Sequence, residues 1–583
     1  MNHDNDPTHA ARRDFLLRTG AGIAGLAGTG LAAADGGAAG PTDAVEPDRY
    51  DEQFRRRAYQ LRVDLAKAAA EQPIPPHPTN GDEARYPNKI GSDSRGLPHN
   101  ARGEVDLAAW RQASAAFASR DPAEFEKIPL GGTRKLVNPV GTLAVSLDGL
   151  NAGQFALPVA PALASAARAS EALELYWVAL LRDVPFGEFR EGTNHRDVLA
   201  AAEELSRAPD FHGPKAGGRV TPQTLFRGAA WYVDATDPSG RTGRWVTPPG
   251  VTEGPYISQF LYRDVPFGPQ TLSARIRSYT PANEFQTSLD EWLHVQNGNA
   301  PRARNVVDPV PRYIANSRDL AAYAHAPAAF GLVANQLLAT PAAADPAYGG
   351  IFPAARNTLA SSNPYLRSRT QGGASGTFGA AYFQSILSLA ASLGIRINYY
   401  QKWYEQRVLR PEAFGGLVHH RLAAGVRDYP IHEALLGSRA LERSRARNGT
   451  FLLPQVFPEG APIHSSYPGG AAIIGAVTAT LLKAFYDETL VIPNPVQPDP
   501  NDPTRLVPYQ GPPLTVGGEL NKLALNYGSG RTAAGIHWRS DAAASYAQGE
   551  NLVISLLREQ KATFREPFDG FSFTRFDGTR VSI

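Results

Sequence analysis

A mainly α-helical fold is what this sequence predicts, on three observations. Apolar residues recur at helical spacing through Ser165–Arg182, Ser288–Val295, Arg318–Leu338 and Phe383–Leu409. Long connections rich in Pro and Gly lie among these runs, at 211–219, 234–254, 340–376 and 492–513, and they absorb much of the chain's 55 Gly and 48 Pro. No internal repeat, coiled-coil heptad or low-complexity tract suggests another architecture.

Taken in order, the chain opens on a targeting pattern. Arg12-Arg13-Asp14-Phe15-Leu16-Leu17 precedes a weakly apolar, Gly- and Ala-rich run, Thr19–Ala34, so residues 1–40 read as a twin-arginine signal and linker. The expected location is periplasmic or extracellular. That apolar run is too short and too rich in Gly to stay in a membrane, and no later stretch is expected to reach spanning length or act as a stable anchor. Asp48–Ala70 reads as a charged amphipathic helix stopped by the prolines of 73–78. The segment Gly81–Gly103, rich in Gly, Pro and charge, is expected as an ordered surface arm. Residues 41–380 form an N-terminal helical region and 381–583 a C-terminal anion-binding region, continuous with each other in one globular unit.

Composition narrows the function. With 43% hydrophobic and 20% charged residues among 583, the chain is neither disordered as a whole nor membrane-spanning throughout. Its 58 Lys and Arg nearly cancel its 56 Asp and Glu, for a net charge of +2. No chain-wide field attracts a polyanion, so nucleic acid is not an expected partner and any anion site must be local. There is no Cys, and the only Met is Met1. Since sulfur is what oxidants attack first, this suits a protein that meets a strong oxidant, and codon bias explains it equally well.

The chemistry concentrates in three C-terminal segments. In KWYEQRVLRPEAFGG, Lys402 and Arg410 are eight residues apart, which on one helix means about 80° in azimuth and about 12 Å along the axis, close enough for two long side chains to share an ion. Pro411 is expected to end that helix with Arg410 at its mouth. In PEGAPIHSSYPGGAA, Gly469 and Gly470 precede an apolar helix, Ile473–Leu482, where backbone N–H groups and the helix dipole favour an anion, and His464 lies six residues before Gly470. In LNYGSGRTAAGIHWRSD, Arg531 stands six residues before His537 among glycines, with Asp541 following. An imidazole Nε2 can attack phosphorus or ligate a metal oxide, and two Arg and a Lys would neutralise an oxyanion beside it.

In order and spacing these segments resemble the vanadium-dependent haloperoxidases, the algal bromoperoxidases and their bacterial relatives, which belong with the type 2 phosphatidic acid phosphatase superfamily. The motifs are Lys-x7-Arg-Pro-Glu, Pro-Glu-Gly-x-Pro-x-His-x-x-Tyr-Pro-x-Gly, and Gly-Arg-x5-His. The likeness extends through NGDEARYP, GLPHNARGEVD, KLVNPVG, ELYWVALLRDVPF, GPYISQFL, PRYIANSRDL, NKLALNYGSGR and the final FDGTRVSI. It implies an all-α fold of helix bundles with long loops, assembled as a homodimer or higher homo-oligomer. It also implies vanadate as cofactor, with Lys402, Arg410 and Arg531 on its oxygens, Gly469 and Gly470 adding backbone hydrogen bonds, and His537 as the protein ligand of vanadium. The implied activity is oxidation of bromide or another halide by hydrogen peroxide, with Lys402 polarising the peroxide. One departure matters: where the family has Ser-Gly-His after Tyr-Pro, this chain has Gly469-Gly470-Ala471. The usual acid–base histidine is missing at Ala471, which leaves His464 as the nearest substitute and implies a weaker enzyme. A phosphatase with His537 as nucleophile and a non-catalytic oxyanion-binding relative are the other readings.

Overall fold

The computed structural model describes residues 47–583 apart from 148–149, 235–242, 326–329, 340–349, 354–355 and 373–375. The twin-arginine segment lies outside the described residues. Residues 61–583 pack as one compact unit, with no break near 380. The described residues are mostly helical, and their strands form four two-stranded antiparallel hairpins, at 230–233/243–246, 265–267/270–272, 496–498/506–508 and 572–574/580–582. All four hairpins begin or lie within stretches read from sequence as loop or left unassigned.

Seven helices position the site: α1 (Ala166–Leu180), α2 (Ser317–His325), α3 (Ala380–Tyr400), α4 (Pro411–Ala423), α5 (Gly470–Phe485), α6 (Val516–Ala533) and α7 (Arg539–Lys561). Local chemistry sets their starts. Ser165 accepts from Arg168 N at the head of α1, and Thr515 accepts from Gly518 N at the head of α6. The centre is α5, which packs against α3, α6 and α7. It is apolar around nearly its whole circumference, as a core helix must be. Ile473, Val477, Leu481 and Leu482 are fully enclosed, each contributing about 1.5–3 kcal/mol from leaving water. Gly475 lets α6 approach closely, because a Cβ there would sit 2.7 Å from Ala524 O.

Four sequence expectations are corrected. The single helix expected over 318–338 is two, α2 and Phe330–Ala339, the link between them lying outside the described residues. The segment 81–103 is not an arm on the surface: Asp82, Ile90, Ser92, Arg95 and Leu97 are buried, and Arg95 pairs with the enclosed Glu412. Its charge suggested the surface, but the fold encloses Arg95 with a carboxylate partner. Removing either member of that pair strands the other, at a cost of about 3–5 kcal/mol. The run Ala380–Gln406 is, by length and composition, long and apolar enough to cross a membrane. Here Phe383, Ile386, Leu387, Ala390, Leu393 and Ile397 make a buried stripe against the protein core, the other reason for a helix to be apolar. Finally, Lys402 and Arg410 do not share a helix. After Tyr400 the chain widens into a π turn, Gln401–Gln406, and breaks at Arg407 with φ 37°. Pro411 is the first residue of α4, where its missing N–H costs nothing, and Arg410 is the N-cap.

Candidate active site

The π turn carries Lys402, the N-cap of α4 carries Arg410, and the last turn of α6 carries Arg531. Gly535, at φ 87°, then turns the chain sharply so that His537 stands one residue before Trp538, the N-cap of α7. Trp538 ties two of these segments together, donating from Nε1 to Leu409 O at 2.8 Å. Segments distant in sequence thus meet at one point because the ends of four helices converge there.

His537 is held at its Nδ1, 2.8 Å from Asp541 Oδ2. The same oxygen accepts from Trp538 N at 2.9 Å and from Ser466 Oγ at 2.5 Å. With Nδ1–H donating to the carboxylate, Nε2 is the unprotonated nitrogen, the arrangement that prepares a ligating or nucleophilic histidine. Arg410 Nη1 lies 3.1 Å from that Nε2 and also donates to Ile536 O at 2.7 Å. Arg410 Nε donates to His464 O at 3.0 Å, and Nη2 lies 2.8 Å from His464 Nδ1. That Nδ1 is also 2.9 Å from Ser465 O, so a neutral His464 accepts from the arginine or donates to the carbonyl, one at a time. Lys402 Nζ donates to the carbonyls of Ser465 and Ser466 at 2.9 and 2.8 Å, and Arg531 Nη1 donates to Ala324 O at 3.2 Å.

The distribution of charge is the informative feature. Lys402 and Arg410 are fully enclosed, and His464 and His537 are 3% and 4% exposed. Elsewhere most buried arginines have carboxylates: Arg168 has Glu171, Arg182 has Glu284, Arg318 has Asp183 and Arg539 has Glu174, while Arg227 stands alone on the carbonyls of Gln223, Val251, Gly254 and Pro255. Lys402, Arg410 and Arg531 hydrogen-bond to carbonyls and imidazole, and none of them makes an ion pair among the described residues. Buried charge without a counter-ion is costly, and an oxyanion is the partner that would remove the cost. No group of three or more His, Asp or Glu side chains among the described residues could hold a cation.

Proton affinities follow from the same geometry. Burial, then the charges of Arg410, Lys402 and Arg531, holds His537 well below the usual imidazole range, and burial with Lys402 and Arg410 does the same to His464. Both rings are neutral at pH 7. Lys402 is driven well down by burial and Arg410, whereas burial pushes Asp541 up. Gly469 and Gly470 do mark a helix start, with a qualification. Gly469 N donates to Asp541 O at 2.8 Å, so the N–H groups without an intrahelical acceptor are those of Gly470, Ala471 and Ala472. The arrangement therefore brings Arg410, His464 and His537 into direct contact, sets Lys402 behind His464 on the neighbouring carbonyls, and ties Arg531 to α2. Asp541 was missed as the partner of His537, and Ser466 as a donor to Asp541. His-x3-Asp at a helix start is one turn, and that spacing was a usable signal. Replacing Asp541 by Asn should lower oxyanion affinity by about 10- to 100-fold, as loss of a ligand's orienting partner does; equilibrium dialysis with vanadate measures it.

No family model matches the chain. Curated relatives do. It is 30% identical over 567 residues to a vanadium-dependent bromoperoxidase of Ascophyllum nodosum, spanning 93% of this chain and 94% of the relative. It is likewise 30% identical to one of Corallina officinalis, over 91% and 99%. A solved homohexameric structure of a second vanadate-dependent bromoperoxidase from Ascophyllum nodosum superposes with a TM-score of 0.80 at 27% identity, covering 97% of this chain and 95% of that one. With a histidine locked from behind by Asp541, Arg410 against its Nε2, and likeness to these relatives running nearly end to end, the chain belongs to the vanadium-dependent bromoperoxidase family.

Proposed function

We propose that the protein is a vanadate-dependent haloperoxidase that oxidises bromide, or another halide, with hydrogen peroxide. The observation that carries this reading is the enclosed pair Lys402 and Arg410, with the part-buried Arg531, beside a histidine whose Nε2 is kept unprotonated by Asp541 and faces Arg410 Nη1 at 3.1 Å. Vanadate fits that donor set: an imidazole nitrogen for the metal, and guanidinium, ammonium and helix N–H donors for the oxygens. Bound there, it supplies a Lewis-acidic centre that activates peroxide toward halide. Arg410 holds oxyanion charge next to His537, Arg531 adds positive potential from α6, and Lys402 polarises the peroxide. Burial keeps bulk water from screening these interactions.

Ala471 leaves the site without a contact acid–base group, so turnover is expected to be slow for the family. A phosphatase with His537 as nucleophile is the second reading, favoured by the His537–Asp541 pair, and it too lacks a leaving-group acid at Ala471. We take the protein to be exported by the twin-arginine route and to form a homo-oligomer, the latter because the solved relative is a homohexamer.

Bromination of a dye by the purified protein, with and without added vanadate and peroxide, tests the reading. Bromination that requires both supports it. Hydrolysis of a phosphomonoester without vanadium, blocked by vanadate, would replace it with the phosphatase. Neither turnover nor bound vanadium would leave a non-catalytic relative.

A further inference from the structure

Behind the cation pocket lies a second feature that the reading above does not use. A cavity of about 20 Å³, room for one water molecule, is lined by Asp93, Arg95, Trp110, Phe117, Arg407 and Ser465 among others. Its rear wall is shared: Arg407 also borders a polar cleft of about 310 Å³ whose lining includes Asn80, Lys89, Glu405 and Gln406. Its front wall is Ser465, whose carbonyl accepts from Lys402 Nζ at 2.9 Å and whose Oγ donates to Lys402 O at 2.8 Å. The cavity thus stands one residue from the Lys402 ammonium on one side and one side chain from a cleft on the other.

Asp93 is the carboxyl group that lines it, beside Arg95 and Arg407. Its backbone is pinned by Asp93 N donating to Arg407 O at 2.9 Å. The residue keeps some solvent contact, but its Oδ1 is buried and has no hydrogen-bond partner. In a fold that satisfies most buried polar atoms, such an oxygen beside a water-sized cavity marks a place for a mobile proton or water. The groups facing it are Arg95 on its own segment, Arg410 and Glu412 from the start of α4, and Lys402 from the π turn. Burial outweighs the cations and pushes the carboxyl up to about 6, near the pH at which a general base exchanges protons readily. His464, the alternative, is held well below its usual range by burial and the same cations and is a poorer acceptor.

We propose that Asp93 is the proton-accepting group of this site, standing behind Lys402 and exchanging protons with solvent through the cavity and the Arg407 cleft, in the role that Ala471 cannot fill. The proton lost by hydrogen peroxide passes by Lys402 to the Asp93 carboxylate, which becomes a carboxylic acid and later releases it to water. Nothing is oxidised or reduced in this transfer. Asp93 acts through Lys402 and is a relay residue, and this assignment rests on the haloperoxidase reading for its purpose though not for its proton chemistry.

Two measurements test it on the full-length protein. The first needs no turnover: calorimetry of inorganic phosphate binding near pH 6, in buffers of different ionisation enthalpy, counts protons taken up when an anion enters. Wild type and Asp93→Glu should take up protons that Asp93→Asn and Asp93→Ser do not. The second is the pH profile of halide oxidation after loading with orthovanadate. Asp93→Asn should lose on the order of 10²-fold in turnover and the acid limb near pH 6, with vanadate affinity changed only a few-fold, and Ala471→His in the same chain should restore turnover. Asp93→Asn and Asp93→Ser are read independently, so a failure of one to fold leaves the other decisive. Proton uptake and pH profile unchanged in the folded variants would overturn the assignment while leaving the haloperoxidase standing. Asp93-dependent uptake in a protein that oxidises no halide would keep the relay and remove the haloperoxidase.

Discussion

His537→Ala should abolish halide oxidation and lower vanadate affinity by more than 100-fold. Loss of an outer-shell partner of a metal ligand already costs about 10- to 100-fold, and here the ligand itself would go. What remains after the substitution is electrostatic: Lys402, Arg410 and Arg531 still attract an oxyanion, so weak, salt-sensitive binding should persist. Arg410 would lose its Nη1 contact at 3.1 Å but keep Ile536 O through Nη1 and His464 through Nε and Nη2, which holds the pocket's shape and makes the variant a fair comparison. Metal analysis of vanadate-incubated protein after gel filtration, beside the dye assay, reads both effects. Retention of stoichiometric vanadium and activity would mean that the ligating atom lies elsewhere.

Ala471→His should act in the opposite direction. Residue 471 is the second of α5, at the positive end of the helix dipole and only partly buried. An imidazole there would be biased toward its neutral form, able to accept a proton directly from peroxide. The gain in turnover has a ceiling of about 10²- to 10⁴-fold, ~3 to 5 kcal/mol of barrier. Vanadate affinity should move less, because His537 and the cations supply most of it. His464→Ala is the control. Its ring sits against Arg410 and Tyr399, with the Tyr399 centroid 4.8 Å away, so loss of packing should lower turnover modestly. Abolition of turnover by His464→Ala, with no gain from Ala471→His, would assign the proton to His464. A protein silent in both forms yet binding vanadate would have lost its enzymatic role.

Much of this was legible in the chain because it is local. Ser165 before an apolar helical run predicts a helix start, and Gly469-Gly470 before an apolar run predicts another. The spacing of Lys402, Arg410, His464, Arg531 and His537 marked a family pattern, and three of those side chains do touch. What escaped was whatever depends on partners far away in sequence. Arg95 reads as solvated until Glu412, 317 residues on, is placed beside it. Asp93 reads as one charge among many until Lys402 and Arg410 enclose it. The π turn at 401–406 leaves no trace in periodicity, because widening one turn shifts register by a single residue. Pro411 was assigned to the wrong helix because proline both ends and begins them, and only the break at Arg407 decides which.

One carboxylate, Asp541, closes the first turn of α7 through Trp538 N and fixes His537 through Nδ1. The start of the longest helix in the C-terminal core and the competence of the imidazole are therefore the same event, so an ion that selects the oriented imidazole also selects the formed helix. By mass action, a ligand present at 100 times its dissociation constant adds about 2.7 kcal/mol to the folded state. Vanadate supply then becomes a variable of the protein's survival as well as of its catalysis, and chains that never meet the ion are the ones cellular quality control would clear first.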